Sequence, residues 1–474
     1  MARLPTISTR TETAPLDIQT KLGYGVGELS KEIPNSILVF FLLFFFTDFV
    51  GLSPGLAGSI LLVGKLWDGV NDPLVGWLSD RTQSRWGRRF PWMLWGAVPL
   101  GISFWLLWLL PPLTSHGQLF VYYTSMLLLF YAALTAIAIP HSTLAAELTQ
   151  TYDERTQLIS FKSAFAIGGS ILGLIIAQIV FARVTDVSQR YAWLGGICGT
   201  IVIFCVYGCV WATSKRFWQL QNQRVQVESI SHDHLWPQLR FILSLRPFLY
   251  IMGVYLCSWM ALQTAAAILP YFVSNWMGLP DRHLTQMILA VQGTALLMMF
   301  FWSWITQKIG KRATYCWGIP LTVAAQIGLF LLKPEQVAWM YALGVMAGMG
   351  LSTAYLIPWS MLPDVIDLDE LHTGQRREGI FCAVMVQLQK LGTALSIFLV
   401  GKILEGSGYL TQSSSNEIAL VQPDTALVAI RWIVGPLPGM VLLIGICFAA
   451  RYPITRKVHD NILLKLLASR EITN

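Results

Sequence analysis

Leu62-Val63-Gly64-Lys65-Leu66-Trp67-Asp68-Gly69-Val70-Asn71-Asp72-Pro73-Leu74-Val75-Gly76-Trp77 is a strongly apolar stretch with two aspartates inside it. It runs between apolar residues and ends in a basic cluster, Asp80-Arg81 to Arg88-Arg89. A carboxylate within a membrane helix costs roughly 2.5–3.5 kcal/mol on insertion scales, so such residues usually serve ion or substrate traffic. Asp68 and Asp72 are four residues apart and share a helix face. Asn71 and Lys65 are each three residues from Asp68 and lie on or beside that face. Two acids, an amide and a cation on one buried stripe are the makings of a cation site.

Composition fixes the class. The 474 residues are 54% hydrophobic and 12% charged, where a soluble domain carries about 25% charge. Apolar runs such as Ser36–Phe46, Leu94–Leu110, Ile167–Phe181 and Met440–Ala450 are too many for one soluble core. The chain is therefore expected to be an all-α, polytopic membrane protein. Its net charge of +7 lies mainly in loops, where the positive-inside rule accounts for it, so nucleic acid is not an expected partner. Seven cysteines (Cys198, Cys205, Cys209, Cys257, Cys316, Cys382, Cys447) lie in apolar segments without metal-ligand spacing. They read as packing residues. Met1 to about Thr20 has no apolar h-region, so no signal peptide is expected.

Twelve spans of about 20 residues fit near 22–48, 55–80, 91–111, 118–147, 157–183, 190–212, 246–274, 284–306, 313–333, 337–362, 377–404 and 426–450. They imply an N-terminal segment 1–20, a six-helix bundle 21–213, a polar connector 214–245, a second bundle 246–451 and a tail 452–474. The connector, from Lys215-Arg216 through Ser231–His234, is the only long polar interior stretch. Arg81, Arg85, Arg88 and Arg89 lie in loop 2–3, Lys308, Lys311 and Arg312 in loop 8–9, and Arg376 and Arg377 in loop 10–11. Loops Thr47–Gly55 and Pro111–Gln118 have no Lys or Arg. Both termini are thus expected in the cytoplasm, with the chain in the plasma (inner) membrane. A weak repeat, Gly76-Trp-Leu-Ser-Asp-Arg to Gly87-Arg-Arg and Ser303-Trp-Ile-Thr-Gln-Lys to Gly310-Lys-Arg, follows the second span of each half. Two pseudo-symmetric halves fit a transporter that rocks about a midplane site.

These residues carry a resemblance. The turn Gly76-x-Leu78-Ser79-Asp80-Arg81 to Arg85-x-Gly87-Arg88-Arg89 resembles the loop 2–3 motif of the major facilitator superfamily. Trp67-Asp68-x-x-Asn71-Asp72-Pro73 is its most specific neighbour. Lys21-Leu-Gly-Tyr-Gly-Val-Gly leads through Lys31-Glu32 to Phe46-Thr-Asp48-Phe-Val-Gly-Leu, and Leu362-Pro-Asp364 runs to Glu378-Gly379 and Lys390. Together they resemble the glycoside–pentoside–hexuronide:cation symporters over essentially the whole chain. The resemblance implies a cation site of Asp68, Asn71, Asp72 and Thr135, oxygen donors suited to a hard ion such as Na⁺, with H⁺ as the other coupling ion. It places Lys390 near that site, where Lys390 is also assigned to substrate binding and would meet a lysophospholipid headgroup, and Lys65 before it. It implies sugar contacts at Lys31 and Glu32, with Ala138 where the family carries a further acid. That departure leaves two substrates open: a small sugar or glycoside, or a lysophospholipid, as in animal relatives. No other cofactor is implied.

Trp359 and Trp67 are candidates to stack on a sugar ring, and Gln387 to line the cavity; Gln263, Thr264 and Gln389 read equally as interhelical hydrogen bonds. Asp80, Arg81, Arg85 and Arg88, with Lys65, are assigned to coupling and gating. The competing readings are bland. Asp68 and Asp72 could be structural ion-pair partners of Lys65 and Lys390. Lys31 and Glu32 could snorkel to the interface. His141 reads best as a packed, hydrogen-bonded side chain. The glycines at 23, 25 and 27 read as a close-packing helix face. Arg431 in the twelfth span is unexplained: pairing with an acid across the cavity and a place near the outer interface both stay open. No Gly-x-Ser-x-Gly elbow or metal-ligand spacing supports an enzyme, and nothing resembles a channel's filter ring. Two fused halves imply a monomer, with substrate and membrane lipid as its partners.

Overall fold

The computed structural model describes residues 16–149, 152–184, 186–221, 240–374, 377–411 and 421–473. Arg376 and the Ser231–His234 part of the connector lie outside the described residues. Every regular element described is helical. In chain order these are α1 (Ile18–Asp48), α2 (Pro54–Arg81), α3 (Phe90–Leu106), α4 (His116–Leu148), α5 (Tyr152–Arg183) and α6 (Val187–Gln221). Then come α7 (Arg246–Trp276), α8 (Asp281–Ile309), α9 (Lys311–Leu331), α10 (Val337–Thr373), α11 (Glu378–Gly406), α12 (Asp424–Ala450) and α13 (Arg456–Thr473). Ten of them are long and apolar enough to cross a membrane. The shorter apolar α3 and the charged α2, packed among them, complete twelve spans.

The helices pack as two groups. α1 lies against α5 and α6, α3 against α4 and α6, and α2 against α4. In the second half α10 lies against α8 and α9, and α12 against α7 and α9. The halves meet chiefly where α2 packs on α11 and α5 on α8. Small residues set these distances, as membrane helices without a hydrophobic drive require. A Cβ added at Gly101 of α3 would come within 2.6 Å of the Gly199 carbonyl oxygen of α6. At the end opposite loop 2–3, polar contacts tie the halves together. The Asp48 carboxylate accepts from Tyr409 at 2.7 Å, the Thr47 and Tyr271 hydroxyls are 2.7 Å apart, and Arg190 pairs with Asp281 at 2.8 Å.

Several span limits differ from those expected. α3 stops at Leu106 rather than near 111. Pro111 and Pro112 follow, and proline restricts its predecessor and supplies no N–H. α6 continues past 212 to Gln221 because no breaker intervenes. α10 continues past 362 to Thr373 and ends at Gly374, whose φ of +68° suits a glycine C-cap. α12 is broken at Gly435, because Pro436 cannot donate back into the preceding turn. α1 and α7 each contain a five-residue π-helical turn, Leu38–Leu42 and Phe272–Trp276, which the apolar pattern did not signal.

Candidate cation and substrate site

α2 begins with Ser53 accepting from Leu56 N at 3.4 Å and Pro54 in its first turn, a standard start for a helix. Its periodicity carries Asp68 and Asn71 into the protein, where both are buried. Asp72 is one turn on from Asp68. From α4, the Thr135 hydroxyl lies 3.2 Å from Asp72 Oδ1 and 3.5 Å from Asp68 Oδ1. From α11, Lys390 Nζ lies 2.6 Å from Asp72 Oδ2 and 3.1 Å from both Asp68 Oδ1 and the Asp68 carbonyl oxygen. Lys65 Nζ is 3.7 Å from Asp68 Oδ2 and 4.5 Å above the Tyr131 ring. Asn71 Nδ2 is 3.5 Å from the Tyr131 carbonyl, at the limit of a hydrogen bond.

Two carboxylates thus face two ammonium groups in a space screened from water. Removing one partner of such a buried pair costs about 3–5 kcal/mol. The oxygens of Asp68 and Asp72 flank the Lys390 ammonium, and the Thr135 hydroxyl lies beside the same carboxylates. These oxygens are of the type a hard cation takes. A cation coordinated there and the Lys390 ammonium exclude each other by space and by charge.

The other expected residues divide among three places. Gln387 Nε2 points to the Gly69 carbonyl at 3.4 Å, next to Asp68 in sequence, on the α2–α11 contact. Lys31 bonds to Glu28 and lies 3.2 Å from Glu32 Oε1 on α1. Glu32 lines a cavity of about 450 Å³ between the halves. That cavity is walled by α1, α5, α7, α8, α9, α10 and α12, with Asn35, Trp259, Gln263, Gln292 and Tyr355 among largely apolar side chains. Trp359 packs instead edge-on to Tyr255, ring centres 5.8 Å apart. Neither it nor Lys390 is among the residues lining the cavity.

The basic turn is held by a residue that the sequence reading left outside the gating set. Arg89 is buried, and donates to Ser79 at 2.8 Å, Asp80 at 2.5 Å and Glu147 of α4 at 3.4 Å. Arg88 meets the same Glu147 at 3.0 Å. Arg81 and Arg85 lie over Trp77 and Trp86, at 4.0 and 5.3 Å. Gly87, with φ +83°, allows the turn its left-handed corner. Arg431 also finds its place: it donates to the Phe330 carbonyl at 2.6 and 2.9 Å and lies 4.4 Å over Trp276.

The family model described as MFS/sugar transport protein matches residues 23–456. An uncharacterized symporter of Synechocystis sp. is 40% identical, over 96% of this chain and 98% of its own length. The sodium-dependent lysophosphatidylcholine symporter 1 of Gallus gallus is 26% identical, over 97% and 91%. Among solved structures, the fold is similar to that of a bacterial homolog of the human lysosomal transporter Spinster in an inward-facing, occupied conformation. The TM-score is 0.65 at 10% identity, covering 94% of this chain and 96% of that one.

Proposed function

The chain belongs to the MFS/sugar transport protein family, a family of multi-pass membrane transporters and not of enzymes, and on that premise we propose that it couples substrate movement to a cation seated by Asp68, Asn71, Asp72 and Thr135. The observation that carries this reading is the Lys390 ammonium between the two carboxylates, 3.1 and 2.6 Å from them. With Lys65 also in place, the seat is electrically balanced by two acids and two lysines. An entering Na⁺ or H⁺ takes over the role of Lys390, which is then free to move with α11. Because α2 and α11 belong to opposite halves and pack together, cation occupancy bears on how the halves sit. Linkage makes the effect reciprocal: whatever cation does for substrate affinity, substrate does for cation affinity.

The substrate is carried in the cavity that Glu32 lines, and the halves rock to expose it alternately. A sugar or glycoside is the first reading. Glu32, Asn35 and Gln292 offer hydrogen bonds to hydroxyls, and Trp259 a stacking face. A lysophospholipid is the second reading, favoured by the apolar remainder of the wall, including Val39, Phe40, Ile167, Ile171, Leu262 and Val291. Both termini face the cytoplasm of an inner-membrane monomer. The connector 214–245 joins the halves, and the basic turn at 80–89 holds the cytoplasmic end during the cycle.

Uptake into proteoliposomes under an imposed inward sodium gradient tests this. Labelled glycosides and labelled lysophosphatidylcholine are offered side by side, with Asp68→Asn as control. Concentrative uptake of either that collapses in the variant supports the seat and names the substrate. Undiminished accumulation by Asp68→Asn would overturn the cation assignment.

A further inference from the structure

Glu28 of α1 and His141 of α4 form a second buried ionisable pair, the histidine six residues beyond Thr135 on its helix. Both are almost fully buried, the side chains 5% and 2% exposed. His141, from α4, lays its ring on Tyr24 of α1, ring centres 4.5 Å apart. Its Nε2 is 2.8 Å from the Tyr24 carbonyl oxygen, and its Nδ1 is 3.4 Å from Glu28 Oε2. Gly27 makes the approach possible, since a Cβ there would come within 2.5 Å of the ring nitrogen. A carbonyl oxygen only accepts, and so does an ionised carboxylate. A neutral imidazole has one N–H and cannot satisfy both. A further hydrogen, on the second ring nitrogen or on Glu28, would complete both contacts. The two descriptions hold the same number of protons, one more than neutral His141 plus ionised Glu28.

We propose that the Glu28–His141 pair is a proton-binding site, separate from the Asp68–Asp72 seat, whose occupancy sets the charge at the substrate cavity through Lys31. The neighbouring groups supply the route. Lys31 is shared by Glu28 and Glu32, and Glu32 lines the cavity. Lys162 of α5 lies 3.8 Å from Glu28 Oε2 and donates to Ser142 at 3.2 Å. Cys209 of α6 and the Tyr24 phenol complete the titratable groups described around the pair. With the proton bound, the imidazolium and Lys162 offset Glu28, and Lys31 stays shared between Glu28 and Glu32, 3.2 Å from the latter. When the proton leaves, Glu28 draws Lys31 to itself, and the Glu32 carboxylate faces the cavity uncompensated. The site goes beyond the cation seat and does not depend on which ion that seat takes.

The test uses the full chain in lipid nanodiscs, with protons alone as the ligand. Nitrogen NMR of labelled histidine, assigned by His141→Gln, reads the ring, and infrared spectroscopy with Glu28→Gln reads the carboxyl. The expected result near neutral pH is an imidazolium at His141, or a neutral ring together with a protonated carboxyl that Glu28→Gln removes. In Glu32→Gln, Lys31 falls wholly to Glu28, so the pair should release its proton at a pH lower by about one unit. A neutral ring beside an ionised Glu28 in the wild type would overturn the site. An unchanged titration in Glu32→Gln would overturn its link to the cavity. Should His141→Gln fail to fold, His141→Asn gives the same assignment. None of these outcomes bears on uptake by Asp68→Asn, so the two readings fail separately.

Discussion

Lys390 of α11 and Asp72 of α2 meet at 2.6 Å across the contact between the two halves. The pair therefore balances a half-buried acid and ties the two halves together. Lys390→Gln leaves both acids with Lys65 as their remaining nearby ammonium, so a cation should seat more firmly. We expect apparent cation affinity to rise at least about tenfold, equivalent to 1.4 kcal/mol, while gradient-driven accumulation is lost. Sodium-dependent thermal shifts of the purified variant measure the first and uptake the second. Weakened cation binding in Lys390→Gln would mean that the lysine builds the seat instead of competing for it.

The same pair predicts a rescue. Asp72→Asn leaves Lys390 with Asp68 alone, at 3.1 Å, and Lys390→Gln leaves Asp72 without its nearest ammonium; breaking a buried pair costs up to about 3–5 kcal/mol. The double variant strands neither charge. Its melting temperature should lie above that of either single variant although it transports nothing. Strictly additive losses would show that the two groups are coupled less than their distance implies.

In the basic turn, neighbouring arginines should behave differently. Arg89 is buried among Ser79, Asp80 and Glu147, whereas Arg85 is exposed beside Trp86. Arg89→Ala leaves Glu147 without one of its two arginines and should cost about 3 kcal/mol or more. Arg85→Ala should stay within about 0.5 kcal/mol. Thermal unfolding in detergent distinguishes them, and equal losses would dismiss Arg89 as the anchor.

These comparisons show which residues the sequence could reveal. Asp68 and Asp72 were legible because a four-residue spacing needs only a helix to share a face, and because acids are rare among apolar neighbours. Lys390 and Thr135 belong to other helices, and only the resemblance brought them to the same place. Arg88 and Arg89 are adjacent and chemically identical; which one turns inward depends on how α3 leaves the turn, and periodicity in a loop says nothing of that. Lys31 and Glu32 were open to an interfacial reading and Glu28 drew none, since the buried partners of Glu28, His141 and Lys162, lie more than a hundred residues away. The break at Gly435 was passed over because the run is apolar on both sides, although Gly435-Pro436 is itself a breaker signal.

The contact at the end of α1 should act as a latch between the halves. Asp48 accepts from Tyr409, Thr47 meets Tyr271, and Arg190 pairs with Asp281. A hydrogen bond to a charged group contributes about 1.5–3 kcal/mol, so losing one should shift the open population about tenfold or more. Arg190→Gln with Tyr409→Phe should speed thiol labelling of a cysteine placed at Ser274, whose hydroxyl is buried. The exposed native Cys447 is first replaced by serine. Unchanged labelling would mean that packing, not these bonds, keeps this end shut.

Helix approach within the first half gives a further prediction, because it depends on the lack of side chains. Gly101 and Gly199 bring the backbones of α3 and α6 together, and a Cβ at either would meet the other's carbonyl oxygen at 2.5–2.6 Å. Neither backbone can yield without moving a whole helix. Gly199→Val therefore forces α6 away from α3 and should cost about 1–3 kcal/mol, or prevent folding. Gly208 lies on the same helix, and a Cβ there meets nothing within 4 Å. Gly208→Ala adds the same backbone stiffening without the collision, so it should hold or raise the melting temperature. If Gly199→Val melts with Gly208→Ala, the close approach of α3 and α6 contributes little. Their spacing would then be set by Phe104, Trp108 and Tyr191, which pack beside it.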